Sequence, residues 1–175
     1  DGITGLIIVN PTTGAQRHLV PGQFNHVVTN SRGEIFALEG AEVNRIDPST
    51  GARSRVVYDG ITLSYGRSID QAPGGMLYVM TNDRLARVDP ATGAIAVIAS
   101  GLLTESFAVM DDQTGYIQLQ DAGVSPVSHT YRIDLVTRAM TRIENVGFNA
   151  PRGLVRDAAG NLLVGHGHVL DRIDP

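Results

Sequence analysis

Gly165-His166-Gly167-His168 is the densest chemical signal in this chain. If a strand runs through it, the two imidazoles point to one face, because strand side chains alternate with a period of two. Neutral imidazole pairs bind transition metals, and flanking glycines let a ligand come close. His26, Glu39 or Asp83 could supply a third ligand. The alternative is a glycine-rich turn with two exposed histidines. A second candidate is the long segment Asp121–His129, which carries Ser125, Ser128 and His129. No Gly-x-Ser-x-Gly elbow accompanies them, so a serine nucleophile is not expected. The segment reads as a surface insertion at one corner of a repeat, where ligands often bind. A third is the pair Arg-x-Asp, met at Arg45/Asp47, Arg87/Asp89, Arg132/Asp134 and Arg172/Asp174. Two apart in a strand, the charges share a face. Their recurrence assigns them to the scaffold, tying a hairpin to the neighbouring strand.

Composition narrows the chemistry further. There is no cysteine, which excludes disulfides, thiolate nucleophiles and zinc ribbons. All fourteen basic residues are arginine, which excludes lysine Schiff bases. Net charge is −4, so neither nucleic acid nor an acidic membrane surface is an expected partner. No apolar run is long enough to span a bilayer. Freedom from cysteine suits an exported bacterial protein, so the expected location is secreted, extracellular or periplasmic.

The scaffold that must position these residues is a repeat. Arg45-Ile46-Asp47-Pro48-Ser49-Thr50-Gly51 returns as Arg87-Val88-Asp89-Pro90-Ala91-Thr92-Gly93, and in eroded form as Arg132–Arg138. Ile8–Gly14 is an earlier copy and Arg172–Pro175 begins another. The aligned Asn/Asp positions are 10, 47, 89, 134 and 174. A period of about 40–45 residues built of strands and turns indicates propeller blades. Residues 68–71, 76–80, 85–89 and 94–98 read as the four strands of one blade. Pro73-Gly74-Gly75, Asn82-Asp83 and Pro90-Ala91-Thr92-Gly93 are its turns. The same grammar covers the rest in one domain, with repeats at about 1–22, 23–60, 61–101, 102–147 and 148–175. Asp111-Asp112 and Asp157 fall at first-hairpin turns, where aspartate caps the turn or, alternatively, holds calcium.

Pro151–Val164, with its Pro-x-Gly-apolar start and its Asp157-Ala158-Ala159-Gly160-Asn161 turn, resembles the NHL-type repeat. Gly75-Met76-Leu77-Tyr78-Val79 with its Arg-Val-Asp-Pro hairpin resembles streptogramin lyase and SMP-30/gluconolactonase propellers. The resemblance implies a β-propeller, a fold that hosts many functions. SMP-30-type lactonases hold a divalent ion with Glu and Asn/Asp around the axis; Glu105, Asn82, Asn149 and Asp83 could imitate them. Streptogramin lyase relies on His and a divalent ion; His166, His168 and Glu39 could imitate that. The flanking residues differ from both patterns, so no role is carried over.

The fold expected is therefore all-β, a β-propeller of about four four-stranded antiparallel blades with a surplus strand. The surplus arises because both termini carry a third strand of the repeat. It fits a closed ring with a spare strand, part of a larger propeller, or an oligomer or polymer that shares strands. Residues 15–20 could complete the C-terminal blade. In propellers the blade-to-blade loops and the second-to-third-strand loops share one face. Asn25, His26, Glu39, Glu42, Tyr65, Arg67, Asn82, Asp83, Glu105, Asp121, His129, Asn149, Arg152, His166 and His168 are expected there. The function expected is a non-catalytic module that binds protein or carbohydrate or assembles through its terminal strands. The alternative is a divalent-metal-dependent lyase or lactonase.

Overall fold

The computed structural model describes residues 5–120, 127–143, 148–149, 151–157, 160–166 and 168–173. For Glu105, Phe148, Asn149, Pro151 and Arg152 it describes the backbone alone. Among these residues the chain is all strand and turn. β1 (Gly5–Val9) and β2 (Gln16–Pro21) form a two-stranded sheet. β3 (His26–Thr29), β4 (Ile35–Glu39), β5 (Glu42–Ile46) and β6 (Arg53–Tyr58) form the first full blade. β7 (Ser68–Gln71), β8 (Leu77–Met80), β9 (Arg84–Val88) and β10 (Ile95–Ser100) form the second. β11 (Thr104–Val109), β12 (Thr114–Gln120), β13 (Val127–Asp134) and β14 (Met140–Arg142) form the third. β15 (Phe148–Asn149) adds to its β13 edge. β16 (Pro151–Arg156), β17 (Leu162–His166) and β18 (Val169–Ile173) form the last sheet. Every pairing is antiparallel.

The protein is thus a β-propeller of four blades with a surplus strand. The innermost strands β3, β7, β11 and β16 surround an axial channel. The surplus is resolved in one respect. β2 pairs with β1 and packs on the first full blade, so it does not complete the last sheet. β18 pairs with β17 alone among the described strands.

Apolar clusters weld each sheet to the next. Leu19 and Val20 meet Ile35, Ala37 and Ile46. Phe36, Leu38 and Leu63 meet Ile69, Leu77 and Val79. Tyr78, Met80 and Leu85 meet Phe107, Ile117 and Ile133. Ala108 and Tyr116 meet Leu154, Leu162 and Val164. Second strands are buried on both faces, which is why β4 and β8 read as unbroken apolar runs.

The hairpin aspartates do not tie one strand to another, as their recurrence had suggested. Each caps its own turn. Asp47 Oδ1 accepts from the backbone N–H of Ser49 and Thr50 at 2.7 and 3.0 Å, and from Ser49 Oγ–H at 2.6 Å. Asn10, Asp89 and Asp134 accept from their own turns in the same way. The Ser49 and Thr50 donors stabilise the carboxylate and hold Asp47 at about 2. The tie to the neighbouring sheet comes instead from backbone approach and from Arg17, whose guanidinium donates to Pro48 O at 2.9 Å. The hairpin ends on Gly14, Gly51 and Gly93 at φ of 71°, 75° and 74°. In the eroded copy Arg138 takes that place and that conformation, at φ 68°. The turn dictates the left-handed backbone whatever residue stands there. Asp111 and Asp157 cap their first-hairpin turns as expected, whereas Asp112 reaches the preceding blade and accepts from Gly74 N at 2.7 Å.

Candidate functional site

The loop face is built upward from the crossover between the first and second full blades. Asp59 opens it as a cap. Its carboxylate accepts from the N–H of Ile61 and Thr62 at 2.8 and 3.0 Å, and these bonds lower its pKa. Leu63, fully buried, anchors the loop in the core beneath. Around these fixed points Tyr58, Ile61 and Tyr65 stand 63%, 80% and 76% exposed. Tyr65 holds φ at 56°, a left-handed conformation that costs a bulky residue free energy. Strain of this kind collects at functional sites. The next residue, Gly66, sits where a Cβ would lie 2.8 Å from Gly40 O, so the backbone there runs against the adjoining turn.

Two residues on, Arg67 reaches the β8–β9 turn. Its Nε donates to Asn82 Oδ1 at 2.5 Å and its Nη1 to Thr104 O at 3.2 Å. Asp83 accepts from Thr81 Oγ1–H and from Arg84 Nε at 3.2 Å each. Arg84 Nη1 closes the loop by donating to Ile61 O at 3.2 Å. The structure therefore bonds Arg67 to Asn82, with Asp83 next along the same β8–β9 turn and Tyr65 two residues before Arg67 in the crossover. The crossover thus carries exposed aromatic and apolar side chains, and the chain following it carries a fork of planar polar groups.

Other expected positions are committed to contacts within the scaffold. Asn25 Oδ1 accepts from Gly40 N at 2.7 Å. Glu39 pairs with Arg53 at 2.9 Å and Glu42 with Arg55 at 3.1 Å. His26 Nδ1 lies 3.0 Å from Ile69 O and 3.3 Å from Ile69 N, bridging β3 and β7. His129 is buried in β13. β17 ends at His166, whose Nε2 lies 2.6 Å from Asp171 Oδ2. His168 is an exposed residue of the turn that follows. Asp121 and the side chains of Glu105, Asn149 and Arg152 lie outside the described residues. Among the described residues no three His, Asp or Glu side chains converge closely enough to hold a metal ion.

Two features escaped the sequence reading. Tyr58 and Ile61 belong to the exposed loop surface, and the Asp59-x-Ile61-Thr62 cap was the only local hint of it. Asp70 lies in the axial channel, on a strand read simply as the innermost of its blade. Burial pushes its carboxyl upward, against the opposing pull of the Val109 and Gln71 N–H groups and of Arg156 and His26.

No family model matches the sequence, and no curated protein does. Solved structures match over nearly the whole chain. Virginiamycin B lyase from Staphylococcus aureus aligns at 16% identity and a TM-score of 0.68, over 95% of this chain and 58% of its own. A gluconolactonase from Xanthomonas campestris aligns at 15% identity and 0.73, over 98% and 66%. An auxiliary nutrient binding protein from Bacteroides thetaiotaomicron aligns at 14% identity and 0.71, over 95% and 52%. The fold is that of the NHL/SMP-30/streptogramin-lyase-like propellers. The chain spans about half to two thirds of the length of these three structures. They include a binding protein and enzymes, so the fold alone decides neither. Among the described residues no helix is long and apolar enough to cross a membrane.

Proposed function

We propose that this propeller is an exported, non-catalytic binding module and that its loop face takes a carbohydrate. The observation that carries the reading is Tyr65, an exposed ring held on a left-handed backbone two residues before the Arg67–Asn82 fork. Tyrosine supplies rigid contact area with two χ angles to immobilise, and its flat face suits the C–H face of a sugar ring. Arg67, Asn82 and Asp83 are planar groups suited to paired hydroxyls. Each is already oriented by a protein partner, which favours recognition over proton transfer. The likeness in fold to a nutrient-binding protein supports the reading.

The test is calorimetry against a panel of soluble oligosaccharides. One should bind, and Tyr65→Ala should weaken it about tenfold or more. Tyr65→Gly should weaken it equally while raising Tm, since glycine relieves the strained backbone. An unchanged affinity in both variants would sink the proposal. Turnover of an offered sugar lactone would replace it with the metal-dependent lyase or lactonase reading.

Assembly is favoured by a separate observation. Ile7 and Val9 on β1, and Val169 and Leu170 on β18, are exposed apolar residues on strands that keep one edge unpaired among the described residues. Unpaired edges and apolar faces invite further strands. Light scattering should then give a mass above 18.6 kDa that falls to that value in Val169→Glu/Leu170→Glu. A wild-type monomer rules assembly out.

A further inference from the structure

The axial channel holds groups that the loop face does not use and whose bonding capacity the scaffold leaves partly unfilled. Two cavities of about 260 and 360 Å³ adjoin there and share Val28, Asp70, Gln71 and Arg156 in their walls. Volumes of this size suit a small polar molecule. Asp70 Oδ1 accepts from Gln71 N at 2.8 Å and Oδ2 from Val109 N at 2.7 Å, which leaves each oxygen a further lone pair. Gln71 donates its amide N–H to Gly75 O at 2.8 Å, and its buried Oε1 has no hydrogen-bond partner. An unsatisfied buried acceptor calls for a donor. On the other side Arg156 spends one nitrogen on Met110 O. It forms no ion pair with Asp70, although it is near enough to lower that carboxyl's pKa. The channel thus sets two acceptors, one of them anionic, apart from a guanidinium with N–H groups to spare.

We propose that this cavity binds a small zwitterion of the α-amino-acid class, its ammonium on Asp70 and Gln71 Oε1 and its carboxylate on Arg156. An ammonium group satisfies both acceptors at once, and a guanidinium takes a carboxylate through paired N–H donors. An amine or a carboxylate alone leaves one half of the site unmatched. The proposal is independent of the carbohydrate reading, since no residue is common to the two sites.

Calorimetry with glycine, L-alanine, L-serine and L-glutamine tests it, with ethylamine, acetate and L-alanine methyl ester as partial probes. At least one amino acid should bind with a single site, about tenfold or more tighter than ethylamine or acetate. Asp70→Asn should weaken that amino acid about tenfold or more, and so should Arg156→Gln. Arg156→Gln should leave the weaker binding of the methyl ester unchanged, because the ester lacks the carboxylate. Arg156 is exposed and its replacement removes no buried contact, so this variant stays informative even if Asp70→Asn unfolds. No saturable binding of any of the four at about 10 mM would overturn the proposal. Equal affinity for wild type and Arg156→Gln would do the same.

Discussion

Phe36→Ala should lower the unfolding free energy by about 3–5 kcal/mol, read from urea transitions at constant m. Phe36 is fully buried on β4 and belongs to the cluster that welds the first full blade to the second. Truncation removes its transfer free energy and leaves a void among Leu38, Val43, Leu63 and Leu77, which are themselves fully buried. The void cannot collapse easily, because strands on both sides hold these neighbours in register. Arg45 adds a smaller loss, since its guanidinium lies 5.3 Å from the Phe36 centroid. Phe36→Leu should recover most of the stability. A loss below about 1 kcal/mol for the alanine variant would mean that this cluster does not hold the blades together.

Gly51→Ala should cost about 3 kcal/mol or more, against about 1 kcal/mol for Gly14→Ala. The two glycines close equivalent hairpins with nearly equal φ. The strain from the left-handed backbone is therefore common to both. Their surroundings differ. A Cβ at Gly14 would meet nothing within 4 Å, whereas at Gly51 it would lie 2.1 Å from Leu19 O. That oxygen belongs to β2, so alanine must push the two-stranded sheet away from the first full blade. Gly93→Ala should fall between them, because there the corresponding contact, Val56 O, lies at 2.8 Å. Thermal unfolding of the three variants gives the ordering. Equal losses at Gly14 and Gly51 would show that the close approach is not part of the native packing.

Strands and outer hairpins were legible because the repeated phrase carries its own mechanism. An Asx cap, a turn and a left-handed residue, glycine in all but the Arg138 copy, recur where a described third strand hands over to a fourth. Arg67, Asn82 and Asp83 could be placed on one face because the repeat fixes which turns lie together. Their mutual bonds could not, since these depend on how one blade leans on the next. The role of the hairpin aspartates was misjudged for a related reason. Spacing shows that Arg45 and Asp47 share a face, but a carboxylate two and three residues before free N–H groups is satisfied locally first. Asp70 and Arg156 were invisible as a pair. They lie on β7 and β16, and only the curvature of the propeller brings those strands to one channel. Exposure of Tyr58 and Ile61 was equally hidden, because a loop has no periodicity to say which side chain is turned out.

Each apolar cluster joins only sheets that follow one another along the chain, and among the described residues none joins the first sheet to the last. Such a molecule behaves as a one-dimensional array, in which stability is a sum of units and nearest-neighbour terms. Its ends can fray without disturbing the middle, and local opening has its lowest cost there. Tyr65 and the Arg67–Asn82 pair rest on interior units clasped from both sides. Their geometry therefore survives fluctuations that open the terminal sheets, and binding on that face is thermodynamically insulated from whatever docks at the ends.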